Sequence, residues 1–375
     1  MKKKQRAKFS LGRLLQDNIV PVMFIVICVI CFPMSGYSPS YLLNELVTRM
    51  GRNAFLILSL LIPVMAGMGM NFAMTLGAMA GQIGLILVAD WQIWGIPGIV
   101  LAMLVSIPIS ILFGIFCGNL LNKAKGREMI TSYIIAFFMT GVYQLIVLFM
   151  MGPVIPIIHD SLKLPRGYGI RNTVSLLNMR QHLDNLLAVN IMGVKIPVLT
   201  FLIIGVLCLV IVWFRRTKLG QDMRAVAQDM EVARNAGIHV DRTRIIAIVM
   251  STVLAGFGMI IYLQNLGNFP TYSAHTQIGT FSIAALLVGG ASVEKASIGN
   301  AFLGVFLFHM MFIMAPAAGT AVTGDSMIGE YFRTFVSYGV ITVALIMYEA
   351  RKRRTKSQSS HLLALAQQGE EASAK

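Results

Sequence analysis

Long apolar runs separated by short polar segments make up most of the chain. A membrane-spanning helix needs roughly 20 apolar residues, and about ten runs come near that length. They are Ile19–Gly36, Asn53–Gly69, Met70–Ala89, Gly95–Leu121, Ile130–Met151, Ile196–Phe214, Ile245–Leu263, Thr280–Gly290, Ile298–Ala318 and Phe332–Tyr348. The pattern predicts an all-α, polytopic integral membrane protein with about ten transmembrane helices.

Basic residues favour one side of this predicted membrane domain. When the first segment is placed inside and the sides alternate, 23 of the 31 Lys and Arg residues fall in inner segments. Because cytoplasmic loops carry such an excess, we expect a multi-pass protein of the plasma membrane with both termini in the cytoplasm. The predicted divisions are a basic N-terminal segment (1–18), a membrane domain (19–350), an outer loop at about 152–195, an inner loop at about 215–244 and a cytoplasmic tail (351–375).

The composition agrees with a membrane protein. Of the 375 residues, 56% are hydrophobic and 13% charged, whereas soluble domains hold about 45–50% and 25%. A net charge of +15 would suggest nucleic acid binding in a soluble protein, but here it matches inner loops, so the lipid bilayer is the expected contact and nucleic acid is not. The cysteines lie inside apolar runs and are interpreted as small apolar residues: Cys28, Cys31, Cys117 and Cys208.

Ionisable side chains are nearly absent from the apolar runs, and only His309 lies deep in one. Proton and ion relays need buried charges, which are costly in a membrane. The pattern therefore argues against a proton-coupled antiporter, an ion channel and an intramembrane hydrolase, and it predicts no catalytic and no metal-binding residues. The chain also has no G-x-x-x-x-G-K-[ST] phosphate-binding loop. We expect it to bind no cofactor, so ATP and Mg²⁺ would belong to a partner subunit.

Uncharged polar side chains in the spans are candidates for a solute pathway. A neutral hydroxylated solute needs hydrogen-bond partners and few charges. The candidates are Asn71, Thr75, Gln82, Tyr143 and Gln144. Small residues between them, at Ala73, Gly77 and Gly81, have the spacing that allows close helix packing.

The inner loop contains a predicted amphipathic helix, Asp222–Ala236. Val226, Met230 and Ala233 would share one face, the acidic first residue suits a helix start, and Gly237 is typical of the position after a helix end. Such a helix can dock in a groove of a partner protein or lie on anionic lipid. The residues alone favour neither.

The segments around this helix carry a family resemblance. Leu219-Gly220 precedes it, Glu231–Ile238 covers its second half, and Gly237-Ile238-His239-Val240 closes the loop. The likeness continues through Leu254-Ala255-Gly256 and Ala284–Ser292, and upstream across Gly67–Leu121. In these segments the chain resembles the permeases of ATP-binding cassette (ABC) importers, in the family of branched-chain amino acid, ribose-type sugar and nucleoside permeases.

The resemblance implies a transport subunit, not an enzyme, that imports a small neutral polar solute. It implies three partners: cytoplasmic ABC ATPase subunits, a second permease subunit of the same or a related chain, and an extracytoplasmic solute-binding protein that would dock partly on the outer loop. Asn71–Gln82 is most similar to the versions in nucleoside and sugar permeases, which favours those solutes. The residues implied to couple to the ATPase are Asp222, Arg224, Glu231, Ala233, Arg234, Gly237 and Ile238.

Other functions stay open at this point. A secondary carrier for a neutral solute would need no ATPase, and a branched-chain amino acid permease would belong to the same family. A membrane-embedded enzyme is disfavoured because the spans offer no acids and bases for catalysis.

Overall fold

The computed structural model describes residues 18–335 apart from Met192, together with residues 338, 339, 342, 343 and 346. Its helices are α1 (Ile19–Ser35), α2 (Pro39–Ser59), α3 (Leu61–Met65), α4 (Met74–Asp90), α5 (Gly95–Lys123), α6 (Glu128–Leu145), α7 (His182–Leu186), α8 (Val198–Phe214), α9 (Lys218–Gln228), α10 (Met230–Asn235), α11 (Val240–Leu266), α12 (Thr276–Val288) and α13 (Ile298–Thr323). A π-helical turn, Ile146–Met150, extends α6, and residues 326–335 are helical. The strands are β1 (Thr173–Ser175), β2 (Ala188–Ile191), β3 (Val194–Pro197) and β4 (Asn268–Pro270).

The first nine predicted apolar runs all fall on helices, so the mostly helical architecture is confirmed. Within the described part of the chain, five spans are long and apolar enough to cross a membrane, or six if the bent pair α8 and α9 counts as one. The helices α1, α4 and α12 are apolar but shorter. These helices fit a multi-pass membrane protein, while ten spans remain a prediction. Most of Phe332–Tyr348 and the predicted tails lie outside the described residues.

Successive helices run between two ends of the molecule. We call near end the one that carries 66–73, 124–127, 215–239 and 289–297, and far end the one that carries 36–38, 91–94, 151–197 and 267–275. At the near end a Cβ on Gly67 would lie 2.7 Å from the Ala227 Cα. At the far end the buried Asp90 carboxylate accepts hydrogen bonds from the backbone N–H groups of Ile158 and His159 (2.8–3.0 Å). At each end of the molecule, segments that connect different helices therefore contact one another.

The helix α2 begins at Pro39, well before the start that the apolar pattern predicts at Asn53. Ser38 caps it by accepting a hydrogen bond from the Tyr41 N–H (3.3 Å), and proline suits the first helical position. The predicted start was wrong because charged side chains lower the hydropathy of these first turns. Arg49 and Arg52, expected in an outer segment, therefore lie within a packed helix.

The helix α11 packs against both α4 and α5, which also contact each other. Gly77 and Gly81 of α4 face the carbonyl oxygens of Thr252 and Gly256, and a Cβ on Gly81 would lie 2.5 Å from the Gly256 oxygen. The Thr252 hydroxyl donates to the Ser110 carbonyl of α5 (3.0 Å). The small residues noted in the sequence thus allow the helix backbones to approach closely.

Two small antiparallel sheets cover the far end. The strand β1 pairs with β4, with Thr173 opposite Pro270, and β2 pairs with β3. Residues 175–187 form a 3₁₀ turn at Leu177–Met179 followed by the short α7, rather than one continuous helix. The stretch breaks at Gln181, which adopts a left-handed backbone conformation with φ of 54°.

Candidate functional site

A cavity of about 410 Å³ lies among α2, α11, α12 and α13, towards the far end. Ligand pockets in proteins typically measure about 300–1,000 Å³. Its wall combines the rings of Tyr262, Phe281 and Phe312 with the guanidinium groups of Arg49 and Arg52. The residues lining it, as far as the structure describes them, include no Asp or Glu. The cavity is therefore aromatic and positively charged.

Arg52 connects the cavity wall to a buried carboxylate. Its Nη1 donates to Asn265 Oδ1 (3.4 Å), and its guanidinium lies over the Tyr262 ring, 5.5 Å from the centroid. The Asn265 Nδ2 donates to Asp184 (2.8 Å), a residue of α7 that is 6% exposed and also accepts a hydrogen bond from Gln264. Sequence reasoning missed Arg52 and Asp184 because both lie outside the predicted apolar runs.

Gln82, one of the predicted pathway residues, pairs with a second buried histidine. Gln82 Oε1 and His275 Nδ1 are 2.7 Å apart, and neither residue has exposed surface. His309 lies deep in an apolar run as noted from the sequence, and His275 is buried as well although it lies outside the predicted runs. His275 precedes the predicted run that starts at Thr280, but α12 begins earlier, at Thr276, within the packed interior.

Tyr143 and Gln144 bind the segment between β4 and α12, which also contains His275. The Tyr143 hydroxyl donates to the Thr271 carbonyl (3.1 Å), and the Gln144 Nε2 donates to the Tyr272 carbonyl (3.1 Å). This segment continues into the cavity wall at Ser273. Gln82, Tyr143 and Gln144 thus position one part of the cavity wall without lining the cavity themselves.

Asn71 and Thr75 lie towards the near end, Asn71 in the turn that leads into α4 and Thr75 in the first turn of α4. The Asn71 Oδ1 accepts from the Ala73 N–H (3.0 Å), and the Thr75 hydroxyl donates to the Phe72 carbonyl (3.0 Å). The structure therefore divides the five predicted pathway residues into two groups at different depths. Their contact with solute stays a prediction.

The loop at 215–239, here called the coupling segment, contains two helices instead of the single predicted Asp222–Ala236. The helix α9 starts at Lys218, after the cap residue Thr217, so Asp222 lies inside it. The break comes at Asp229, whose Oδ1 accepts from the N–H groups of Glu231 and Val232 (2.8 and 3.0 Å) and so caps α10. The apolar periodicity continues across this break, which is why it was missed.

The second helix of the coupling segment ends as the sequence predicts. Gly237 has φ of 83°, a left-handed conformation that favours glycine. Its N–H donates to the Arg234 carbonyl and the Ile238 N–H donates to the Ala233 carbonyl, both at 3.0 Å, which is the Schellman pattern.

The predicted coupling residues divide between an inner and an outer surface. Ala233 is buried with Val226 and Val240 in a small separate core, and Ile238 packs against it. Arg224, Glu231, Arg234 and Gly237 are exposed, and Asp222 is half-buried. The coupling segment is therefore a structured surface feature of the near end.

Arg244 fastens the coupling segment to the membrane helices. It is 1% exposed, and its Nη2 donates to Glu128 Oε1 of α6 (2.6 Å). Its Nε donates to Asn122 Oδ1 of α5 (3.0 Å), and its Nη1 contacts the Met230 sulfur of α10 (3.2 Å). One buried guanidinium thus joins four helices, because Arg244 itself belongs to α11.

Comparison with known sequences identifies the family. The sequence profile described as "Branched-chain amino acid transport system / permease component" matches residues 45–346. The chain belongs to this permease family. The resemblance stated from the sequence is thereby confirmed, and members of this family are transport permease subunits rather than enzymes.

Relatives of this permease carry several solute names. It is 26% identical over 341 residues to the nucleoside ABC transporter permease protein NupB of Lactococcus lactis, covering 85% of this chain and 84% of NupB. It is 24% identical over 243 residues to the autoinducer 2 import system permease protein LsrD of Photorhabdus luminescens, covering 63% of each chain. It is 25% identical over 235 residues to the fructose import permease protein FruG of Bifidobacterium longum, covering 59% of this permease and 63% of FruG.

Proposed function

We propose that this permease is the membrane subunit of an ABC importer for a small neutral polar solute, a simple sugar or a nucleoside. The family match and the names of relatives such as NupB and FruG support this proposal. A separate cytoplasmic ATPase would hydrolyse ATP with Mg²⁺, and a second permease subunit of the same or a related chain would complete the pathway. An extracytoplasmic solute-binding protein would deliver solute at the far end, partly on residues 152–195.

The coupling segment is the observation that carries the proposed ATPase contact. It is fixed on its inner side by its own small core and by Arg244. On its outer side Val232 is 64% exposed between the exposed charges of Glu231 and Arg234. Docking of the ATPase on this side would bury Val232 together with these flanking charges.

In the proposed orientation of the permease, the near end lies in the cytoplasm. The basic residues of the coupling segment favour that side. ATP-driven movement of the ATPase would then pull on α9 and α10, and α11 would carry the motion towards the cavity. Gln82, Tyr143 and Gln144 would serve the pathway by fixing the segment 271–275, and Asn71 and Thr75 would serve it nearer the cytoplasm.

The substitution Val232→Asp tests the docking surface. We expect the ATPase subunit encoded with this permease to be lost from the purified complex, together with ATP-dependent uptake into membrane vesicles, because a charge would replace the central apolar contact. The matched control is Val322→Asp, which changes a valine of similar exposure (67%) in the last turn of α13, outside both proposed docking surfaces, and should keep both activities.

Two results would contradict the proposal. One is an unchanged amount of co-purified ATPase with Val232→Asp. The other is solute uptake at the normal rate by the purified chain in liposomes without any ATPase, which would favour the secondary carrier.

A further inference from the structure

Two residues of the far-end cavity wall carry a polar atom that no described residue matches. The Arg52 Nε and the His309 Nδ1 are both buried, and neither has a hydrogen-bond partner among the described residues. A buried donor or acceptor without a partner is destabilising. Arg52 and His309 both line one cavity of ligand size, so a solute held there would lie against them.

The charges of the wall restrict what that molecule can be. Arg49 pairs with Glu45 (3.2 Å) and Arg333 with Glu330, whereas Arg52 has only an amide oxygen and a ring face as described partners. The wall therefore has an excess positive charge, which would repel a cation. An amino acid fits poorly, because its ammonium group would find no carboxylate among the described lining residues.

The remaining lining groups fall into two kinds. The Phe281 ring meets the Phe312 ring at 67°, with centroids 5.2 Å apart, and gives the lining an aromatic surface. Asn53, Gln277 and Ser282 offer donors and acceptors that suit hydroxyl groups. A nitrogen heterocycle can stack on an aromatic face and accept a hydrogen bond from Arg52, and an attached sugar can bind the amides and the hydroxyl. A simple sugar has no aromatic ring to stack and would use only the hydrogen-bonding side chains of the lining.

We propose that the cavity among α2, α11, α12 and α13 is the solute-binding site of the permease, and that its solute is a nucleoside bound through Arg52, His309 and the Phe281 ring. This inference rests on the proposed importer function and narrows its solute class. The nucleoside named for NupB, a relative matched over 85% of this chain, supports the same choice.

The test compares solutes and variants in the complete complex of permease, ATPase and binding protein. In membrane vesicles we expect ATP-dependent uptake of uridine or adenosine and at least tenfold less uptake of ribose, fructose or leucine. Arg52→Gln should lower nucleoside uptake at least tenfold at limiting concentration, and Phe281→Leu should raise the nucleoside KM several-fold. Arg127→Gln and Phe306→Leu, exposed residues that lie outside residues 152–195 and do not line the cavity, are the matched controls.

A binding measurement separates the loss of nucleoside binding from the instability of a variant. Uridine or adenosine should raise the thermal midpoint of the purified wild-type complex and of Arg52→Lys, which keeps the charge, but not that of Arg52→Gln. The inference is overturned if ribose or leucine is carried in preference to both nucleosides, or if Arg52→Gln and Phe281→Leu leave nucleoside uptake unchanged. A complex with no ATP-dependent uptake of any of these solutes would instead contradict the proposed importer function.

Discussion

Asp229 shows how one side chain shapes the coupling segment. It is exposed and adopts an extended backbone with φ of −157°, which ends α9. Its carboxylate then accepts two N–H groups of the first turn of α10, where the positive end of the helix dipole also favours it. The position of Val232 on the surface therefore depends on this cap.

We expect Asp229→Ala to loosen α10. Loss of a helix cap typically costs about 1 kcal/mol, and α10 is short, so its amides should exchange with solvent several-fold faster. Hydrogen exchange of residues 230–235 measures this, with Asp222→Ala as the control, since Asp222 lies within α9 and does not cap α10. Equal exchange in the two variants would show that the cap does not hold α10 in place.

At the scale of elements, the contact between α4 and α11 depends on glycines. Gly77 and Gly81 let α4 lie directly on the carbonyl groups of α11. Backbone carbonyls cannot rotate away as a side chain can, so an added methyl group must push the two helices apart.

The substitution Gly81→Ala should lower the thermal midpoint of the purified permease and its folded yield, because overpacking typically costs about 1–3 kcal/mol. The control is Gly205→Ala in α8, where an added Cβ would meet no atom within 4 Å. There alanine should be neutral or stabilising, since it favours helix more than glycine does. A larger loss with Gly205→Ala than with Gly81→Ala would contradict the packing.

The apolar pattern predicts helices well where apolar residues are continuous. It predicts them poorly where charged or polar side chains are packed against partners inside the protein. Its apolar runs locate nine helices, but the start of α2 is missed because Arg49 and Arg52 enter a cavity wall rather than water. His275 is missed for a related reason, since its partner Gln82 is distant in the chain. The capping role of Gly237 is predictable because it is a local backbone property.

At the scale of the whole molecule, α11 connects the coupling segment with the cavity. Its 27 residues contain no proline and span about 40 Å at 1.5 Å per residue. Arg244 lies near one end, and Asn265, the partner of Arg52, lies near the other. A displacement of α11 at the near end would therefore reach the cavity without an intervening hinge.

We expect Glu128→Gln to uncouple these two ends, because it leaves the buried Arg244 without its countercharge. Uptake per ATP hydrolysed should fall at least about fivefold, the lower range of a typical coupling free energy, while the ATPase stays bound. The control is Asp241→Asn, which breaks the Lys125 ion pair between the same parts of the chain, where the Asp241 side chain is 60% exposed and contributes little. An unchanged ratio of uptake to hydrolysis would mean that Arg244 acts only in folding.

The positions of the cysteines have a practical consequence. All four are free and lie within the apolar helices α1, α5 and α8, where a membrane would keep a water-soluble reagent away from them. A membrane-impermeant maleimide should therefore leave the native thiols unmodified. A reporter cysteine substituted for Val232 or for Val154 could then reveal, in sealed vesicles of known polarity, which end of the protein faces the cell interior.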